Sequence, residues 1–161
     1  SPDTQIYAFS VSHAPIHPAV GYKIKYKDRS IVISGDTTPS AHVEREAKGV
    51  DVLMHEAMSM EMMTIVQEGA QLAKRDKLEQ LMKDITNYHT SPVEAAHIAS
   101  KAEVGYLMLH HIAPPLPFPG LVDIFLKGTD KAFKGKIQVA KDGDVLSLPA
   151  GQKSIQPSSR F

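Results

Sequence analysis

The sequence predicts an α/β domain, a mixed sheet with flanking helices, and three observations carry that expectation. Two early segments alternate polar and apolar residues. Three later runs, Ser30-Ile-Val-Ile-Ser34, Val50-Asp-Val-Leu-Met54 and Val104-Gly-Tyr-Leu-Met-Leu109, are short and apolar enough for strands covered on both faces. Between those runs lie segments whose apolar residues recur at helical spacing.

In order, Gln5 to Val11 and Tyr22-Lys-Ile-Lys-Tyr26 read as strands with one wet face. Ser30 to Ser34 follows the turn-like Lys27-Asp28-Arg29 and ends in Gly35-Asp36-Thr37-Thr38-Pro39. A short helix over about Ser40 to Lys48 leads through Gly49 to the strand ending at Met54, with His55-Glu56 beyond it. Met58 to Ile85 is amphipathic and fits one long helix or two short ones, and its Met-rich start, Ala57 to Met63, reads as core. Ser91-Pro92-Val93-Glu94 combines a capping serine, a first-turn proline and a glutamate three residues after the cap, so a helix runs from there to about Ala102. The strand ending at Leu109 delivers His110 and His111. Pro114, Pro115, Pro117 and Pro119 then stop regular structure. A helix over roughly Leu121 to Phe133 follows, then a hairpin of Lys136 to Lys141 and Val145 to Leu148, turned by Asp142-Gly143. The domain is expected to occupy 1–150, with 151–161 a loose tail.

Composition narrows the function. The 161 residues hold 18 Lys plus Arg against 18 Asp plus Glu, so no excess positive field draws nucleic-acid phosphates or an anionic membrane. Cysteine is absent, which leaves any metal to histidine and carboxylate. No apolar run approaches the ~20 residues that cross a bilayer, and no signal-peptide layout is visible, a reading that leans towards the cytoplasm. The chain opens on Ser1-Pro2-Asp3 without methionine, so a processed or truncated start is expected.

Open α/β sheets place functional groups beyond the C-terminal ends of their strands. Successive strand ends here carry Asp36, His55-Glu56 and His110-His111, and His89 immediately precedes a capped helix start. Carboxylate and imidazole together suit zinc, iron and manganese. Each residue also has an ordinary structural reading. Asp36 before Thr-Thr-Pro is a common helix entry, His55 and His89 could close loops through hydrogen bonds, and Glu56 could be a first-turn helix charge. His110 and His111 cannot both face one side of a regular strand.

Taken jointly, Ser34-Gly35-Asp36-Thr37, Leu53-Met54-His55-Glu56-Ala57, His89-Thr90-Ser91-Pro92-Val93-Glu94-Ala95-Ala96 and Leu107-Met108-Leu109-His110-His111 resemble the metallo-β-lactamase superfamily, in its ribonuclease Z-like and arylsulfatase-like branch. Ser12-His13-Ala14-Pro15 and Gly21-Tyr22 extend the resemblance upstream, so that it spans roughly Gln5 to Pro115. The resemblance implies that the chain is the C-terminal half of an αββα sandwich. It implies Asp36 as a metal-bridging ligand, His111 as a ligand of the second metal, His89 as proton donor supported by Glu56, and His13 and His55 near substrate. The implied cofactor is two zinc ions, with manganese or iron as alternatives.

The superfamily's principal motif, His-x-His-x-Asp-His, is missing from this sequence, and His13-Ala-Pro-Ile-His17 has the wrong spacing. Asp36 and His111 are too few donors for a zinc ion that takes about four. The chain alone is therefore expected to be a poor hydrolase or to bind no metal. Its expected partners are a missing N-terminal half, or a second copy across an exposed sheet face, together with a small-molecule substrate. The implied reaction is hydrolysis of an ester, lactone, sulfate or phosphate ester. The alternatives are a transfer-RNA 3′-end endonuclease, which the neutral charge disfavours along with other nucleic-acid partners, and a non-catalytic dimerisation or binding domain.

Overall fold

The alternating segments become β1 (Thr4–Ser10) and β2 (Val20–Tyr26), paired antiparallel so that Tyr22 lies opposite Ala8. β2 pairs antiparallel with β3 (Arg29–Ile33) across a tight turn. In the computed structural model, which describes residues 2–160, the chain then crosses over through α1 (Ala41–Glu46) to the parallel β4 (Val52–Met58). Ser40 caps α1 by accepting from the His42 and Val43 amides. The amphipathic stretch divides into α2 (Met60–Leu72) and α3 (Asp76–Ile85), separated at Lys74, whose φ is 52°. α4 (Pro92–Lys101) begins with the capping box expected of Ser91 and Glu94, and β5 (Tyr106–Ala113) follows, parallel to β4.

α5 (Pro119–Phe125) and α6 (Thr129–Ala132) lead to β6 (Lys136–Val139), which pairs parallel with β5. The result is one six-stranded mixed sheet in the order β1-β2-β3-β4-β5-β6, with the flanking helices that the apolar spacing predicts. The continuous apolar runs are buried on both faces. Val32, Leu53, Leu107 and Leu109 pack with Val43, Ala95, Ala96, Ala99 and Phe125 on the helical side. Val52, Tyr106 and Met108 pack on the other side. The Met-rich start is core as expected, since Met58 and Met63 pack with Met82 of α3.

Four local expectations need correction. His55 and Glu56 lie inside β4 rather than beyond it, and β5 continues through His110 and His111. The helix expected over Leu121 to Phe133 is broken at Gly128, whose φ of 88° is left-handed and cannot continue a helix. No hairpin joins β6 to β7 (Asp144–Ser147). β6 takes the open edge of the parallel sheet, and β7 pairs antiparallel with β8 (Gln156–Ser159) in a separate two-stranded sheet. The Asp142-Gly143 turn does form, with Asp144 donating to the Lys141 carbonyl. It carries Leu146, Leu148 and Ile155 onto the second face of the main sheet, where they cover Val52, Tyr106 and Met108.

The segment expected to be a loose tail is tied down by that packing and by Arg29. Arg29 is 4% exposed, pairs with Asp51 at 3.2 Å, and donates to the carbonyls of Gln152 and Ser154. The strap formed by β7 and β8 leaves the far end of that face open. There Ile6 is 64% exposed and Tyr22 42%, on the same face as Ile24 and Ile31.

Candidate functional site

The turn after β3 depends on Gly35. Its φ is 63°, and a Cβ there would collide with the Val20 carbonyl oxygen, so glycine alone combines the left-handed turn with the close approach of β2. Ser34, fully buried, accepts from the Glu56 amide at 3.0 Å and thereby joins this turn to β4. Asp36 leaves the turn with its side chain 40% exposed.

Glu56 is the hub of the site. It has no exposed surface, and its Oε1 accepts from the backbone amides of Thr37 (3.2 Å) and Thr90 (2.9 Å). Thr90 Oγ1 donates to the Thr37 carbonyl at 2.6 Å, and the Met58 amide donates to the Thr90 carbonyl at 2.8 Å. One buried carboxylate thus ties together the Asp36 turn, β4 and the loop that carries His89. A buried amide without an acceptor is costly, so these bonds determine where both loops can sit.

His111 reaches the site through an irregularity. Along β4 and β5, Glu56 pairs with His110 but Ala57 pairs with Ile112, so His111 is the extra residue of a β-bulge, with a φ of 47°. The bulge turns its side chain outward, 53% exposed, with Nε2 3.5 Å from Asp36 Oδ2. His110 stays half-buried, and that burial, with His111 adding to it, holds its pKa below the ordinary imidazole value. The rings of His111 and His89 are stacked with centroids 5.8 Å apart. His89 Nδ1 lies 3.3 Å from Glu56 Oε1, and His13 lies 5.2 Å, ring to ring, from His89.

Asp36, His111, His89, Glu56 and His13 therefore form one contiguous group. His55 does not join it on any accessible surface. It is fully buried, with Nδ1 2.7 Å from the Glu56 carbonyl oxygen, and burial depresses its pKa. The expectation that His55 lies near substrate is not met on the surface of this chain, because its side chain is enclosed within β4. Sequence reasoning passed over Tyr88, whose ring packs against both His13 and His89, and gave no part to Ser34, Thr37 and Thr90. The last three stood inside the quoted motifs, where hydroxyls close to Asp36 and His89 were the available signal.

Among the described residues, no group of three or more His, Asp or Glu side chains is arranged to hold a metal ion. Asp36 and His111 converge, are reachable from solvent, and offer carboxylate and imidazole, donors that zinc, manganese and iron accept. They fit a metal as part of a ligand set and fall short of a whole one. An open hollow of about 1080 Å³ lined by Asp123, Lys127, Thr129 and Lys131 shares no residue with this group.

A six-stranded mixed sheet with flanking helices, and an aspartate from the turn after β3 meeting a histidine from the bulge in β5, define a metallo-β-lactamase fold. The chain belongs to the β-lactamase superfamily: residues 1–112 match the model of the β-lactamase superfamily domain. Its relatives place it in the ribonuclease Z-like branch. It is 32% identical over 130 residues to the ribonuclease Z of Mycobacterium tuberculosis (strain ATCC 25618 / H37Rv), covering 81% of this chain and 43% of that protein. It is 30% identical over 130 residues to the ribonuclease Z of Mycobacterium sp. (strain KMS), covering 81% and 41%. The chain thus spans under half the length of these two relatives.

In fold it is similar to the metallo-β-lactamase fold protein YhfI from Bacillus subtilis, with a TM-score of 0.63, 17% identity, and coverage of 97% of this chain and 50% of that one. It is also similar to the short form of human tRNase Z, with a TM-score of 0.57, 22% identity, and coverage of 92% and 44%. No helix among the described residues is long and apolar enough to cross a membrane.

Proposed function

We propose that this chain is the C-terminal part of a metal-dependent phosphodiesterase of the ribonuclease Z type, acting on the 3′ end of transfer-RNA precursors. The observation that carries the reading is the placing of the half-exposed Asp36–His111 pair beside the His89–Glu56 pair. Similarity to ribonucleases Z over 81% of the chain supports it. Asp36 and His111 would be this chain's share of a metal site, for which zinc is the first candidate, and the other donors would come from an N-terminal half carrying His-x-His-x-Asp-His. A divalent ion bound there would supply Lewis acidity to a phosphoryl centre.

His89, at the inner side of the pair, donates a proton to the oxygen that departs when the phosphorus–oxygen bond breaks, and water supplies the oxygen that replaces it. Glu56, held by two amides, keeps its Oε1 beside His89 Nδ1. His13, half-buried against His89, would be the residue beside it nearest to substrate.

A second reading, hydrolysis of a small ester, lactone, sulfate or phosphate, is favoured by the balance of 18 basic and 18 acidic residues. That balance describes under half the length of the mycobacterial relatives. The open end of the sheet face around Ile6 and Tyr22 suits the N-terminal half, and a second copy is the alternative occupant. The complete protein should cleave a 3′-extended transfer-RNA precursor in a salt-sensitive manner. His89→Ala should lower the rate by about 10² to 10⁴. Hydrolysis of small aryl esters or phosphodiesters with no RNA cleavage would transfer the conclusion to the second reading, and metal-free, inactive protein would exclude both.

A further inference from the structure

Among the described residues, no hydrogen bond holds the His89 imidazole. Its Nδ1 is buried, lies 3.3 Å from Glu56 Oε1, and makes no aligned hydrogen bond there or elsewhere among the described residues. A ring that turns about two side-chain bonds needs some other restraint if one of its nitrogens is to meet a leaving group. Three rings supply it. His13 stands edge-on to His89 at 5.2 Å and 76°, Tyr88 leans on it at 5.2 Å and 46°, and His111 stacks on it at 5.8 Å and 26°. His13 and Tyr88 also brace each other at 4.8 Å and 68°. Offset and edge-on contacts at these separations are favourable for aromatic rings, and they restrict rotation.

The brace is anchored to the same turn as Asp36. Ser12, the neighbour of His13, donates its amide to Thr37 Oγ1 at 3.2 Å, and its carbonyl accepts from the Thr38 amide at 2.8 Å. Tyr88 is adjacent to His89 in the chain, and the next residue, Thr90, donates its amide to Glu56. Both bracing rings are thus held by the buried Glu56–Thr37–Thr90 network.

We infer that Tyr88 and His13 are positioning residues, which together bear on one flank of the His89 imidazole while His111 stacks on it, and leave one orientation in which it can transfer a proton. The inference rests on the proposed role of His89 and assigns Tyr88 a part for which the motif itself gave no signal. Its ring is what matters, so Tyr88→Phe should preserve the effect and Tyr88→Leu should remove it.

The first measurement uses this chain as it stands. Nuclear Overhauser contacts from the His89 ring to Glu56 and His111, and the ¹⁵N shifts that report its tautomer, are recorded at one fixed pH. Tyr88→Phe should retain them. Tyr88→Leu should lose the contacts and average the tautomers, while amide signals of β4 and α4 stay in place. His13→Ala tests the brace independently of Tyr88, should Tyr88→Leu fail to fold, with the same loss expected. An unchanged His89 ring in a folded Tyr88→Leu or His13→Ala variant overturns the inference.

The second measurement uses the complete protein on a transfer-RNA precursor. Tyr88→Leu should lower kcat about tenfold with KM unchanged, because a misplaced proton donor weakens the chemical step. A raised KM with kcat retained would make Tyr88 a base-stacking residue and overturn the positioning role. A wild-type protein without RNA cleavage defeats the proposed function, and the ring measurement then still decides whether the brace exists.

Discussion

Glu56→Ala should destabilise the chain by roughly 2 to 6 kcal/mol. Glu56 Oε1 accepts from two buried backbone amides, those of Thr37 and Thr90, and no surface of the side chain reaches water. Leaving a buried donor without an acceptor costs about 1 to 3 kcal/mol, and two donors double that. The empty volume adds to the loss. Set against a usual total of about 5 to 15 kcal/mol, the change should be large in a urea titration followed by circular dichroism. The midpoint should fall sharply while the slope, which reports the surface exposed on unfolding, stays constant. Glu56→Gln retains a carbonyl oxygen for both amides and should cost clearly less. The two variants together separate the acceptor role from charge. A loss below about 1 kcal/mol for Glu56→Ala would mean that water or a loop shift satisfies those amides, and the account of Glu56 as the hub of the site would fail.

His111→Gly should stabilise the fold by about 0.5 to 1 kcal/mol in the same titration, because glycine relieves a left-handed residue with a φ of 47°. The same variant should lower metal uptake by the complete protein, measured as bound metal per chain after dialysis. Gly35→Ala should act in the opposite direction and cost about 1 to 3 kcal/mol, since it combines a left-handed φ with a collision at the Val20 carbonyl. A neutral result would show that the β3 turn can relax away from β2. Burial disfavours the charged form of His55 and holds its pKa below the ordinary imidazole value, so as pH falls the unfolded chain binds a proton that the folded chain refuses. Stability is therefore full above the ordinary imidazole pKa of about 6.5 and falls as pH drops below it, by up to about 1.4 kcal/mol per unit for this one group. Unfolding midpoints from pH 8 down to about 5 should show that decline, and it should be shallower in His55→Asn.

Much of the architecture is written in local pattern. Alternation, stricter in β2 than in β1, marks the first two strands because a strand's side chains point to opposite faces. Capping chemistry marks the start of α4, because the first turn of a helix has amides that need acceptors. Asp36, His89, Glu56 and His111 were legible from the order and spacing of short motifs, and the structure brings all four together. The partner of β6 was not legible, because a run of four residues is equally compatible with a hairpin and with the vacant edge of a parallel sheet. The tail likewise depends on Arg29, whose partners Gln152 and Ser154 lie more than a hundred residues away.

Fold class, family and the residue types that could bind metal or carry a proton are readable along the chain, since they follow from periodicity and from the chemistry of side chains in fixed order. Which face each histidine serves is set by contacts between strands. A bulge in β5, defined by pairing with β4, turns His111 out to Asp36. The regular pairing of β4 before that bulge buries His55 completely. The brace of His13 and Tyr88 around His89 likewise joins residues more than seventy positions apart. Orientation of this kind depends on the register between strands and on hydrogen bonds across loops, and neither is encoded in any single stretch of chain.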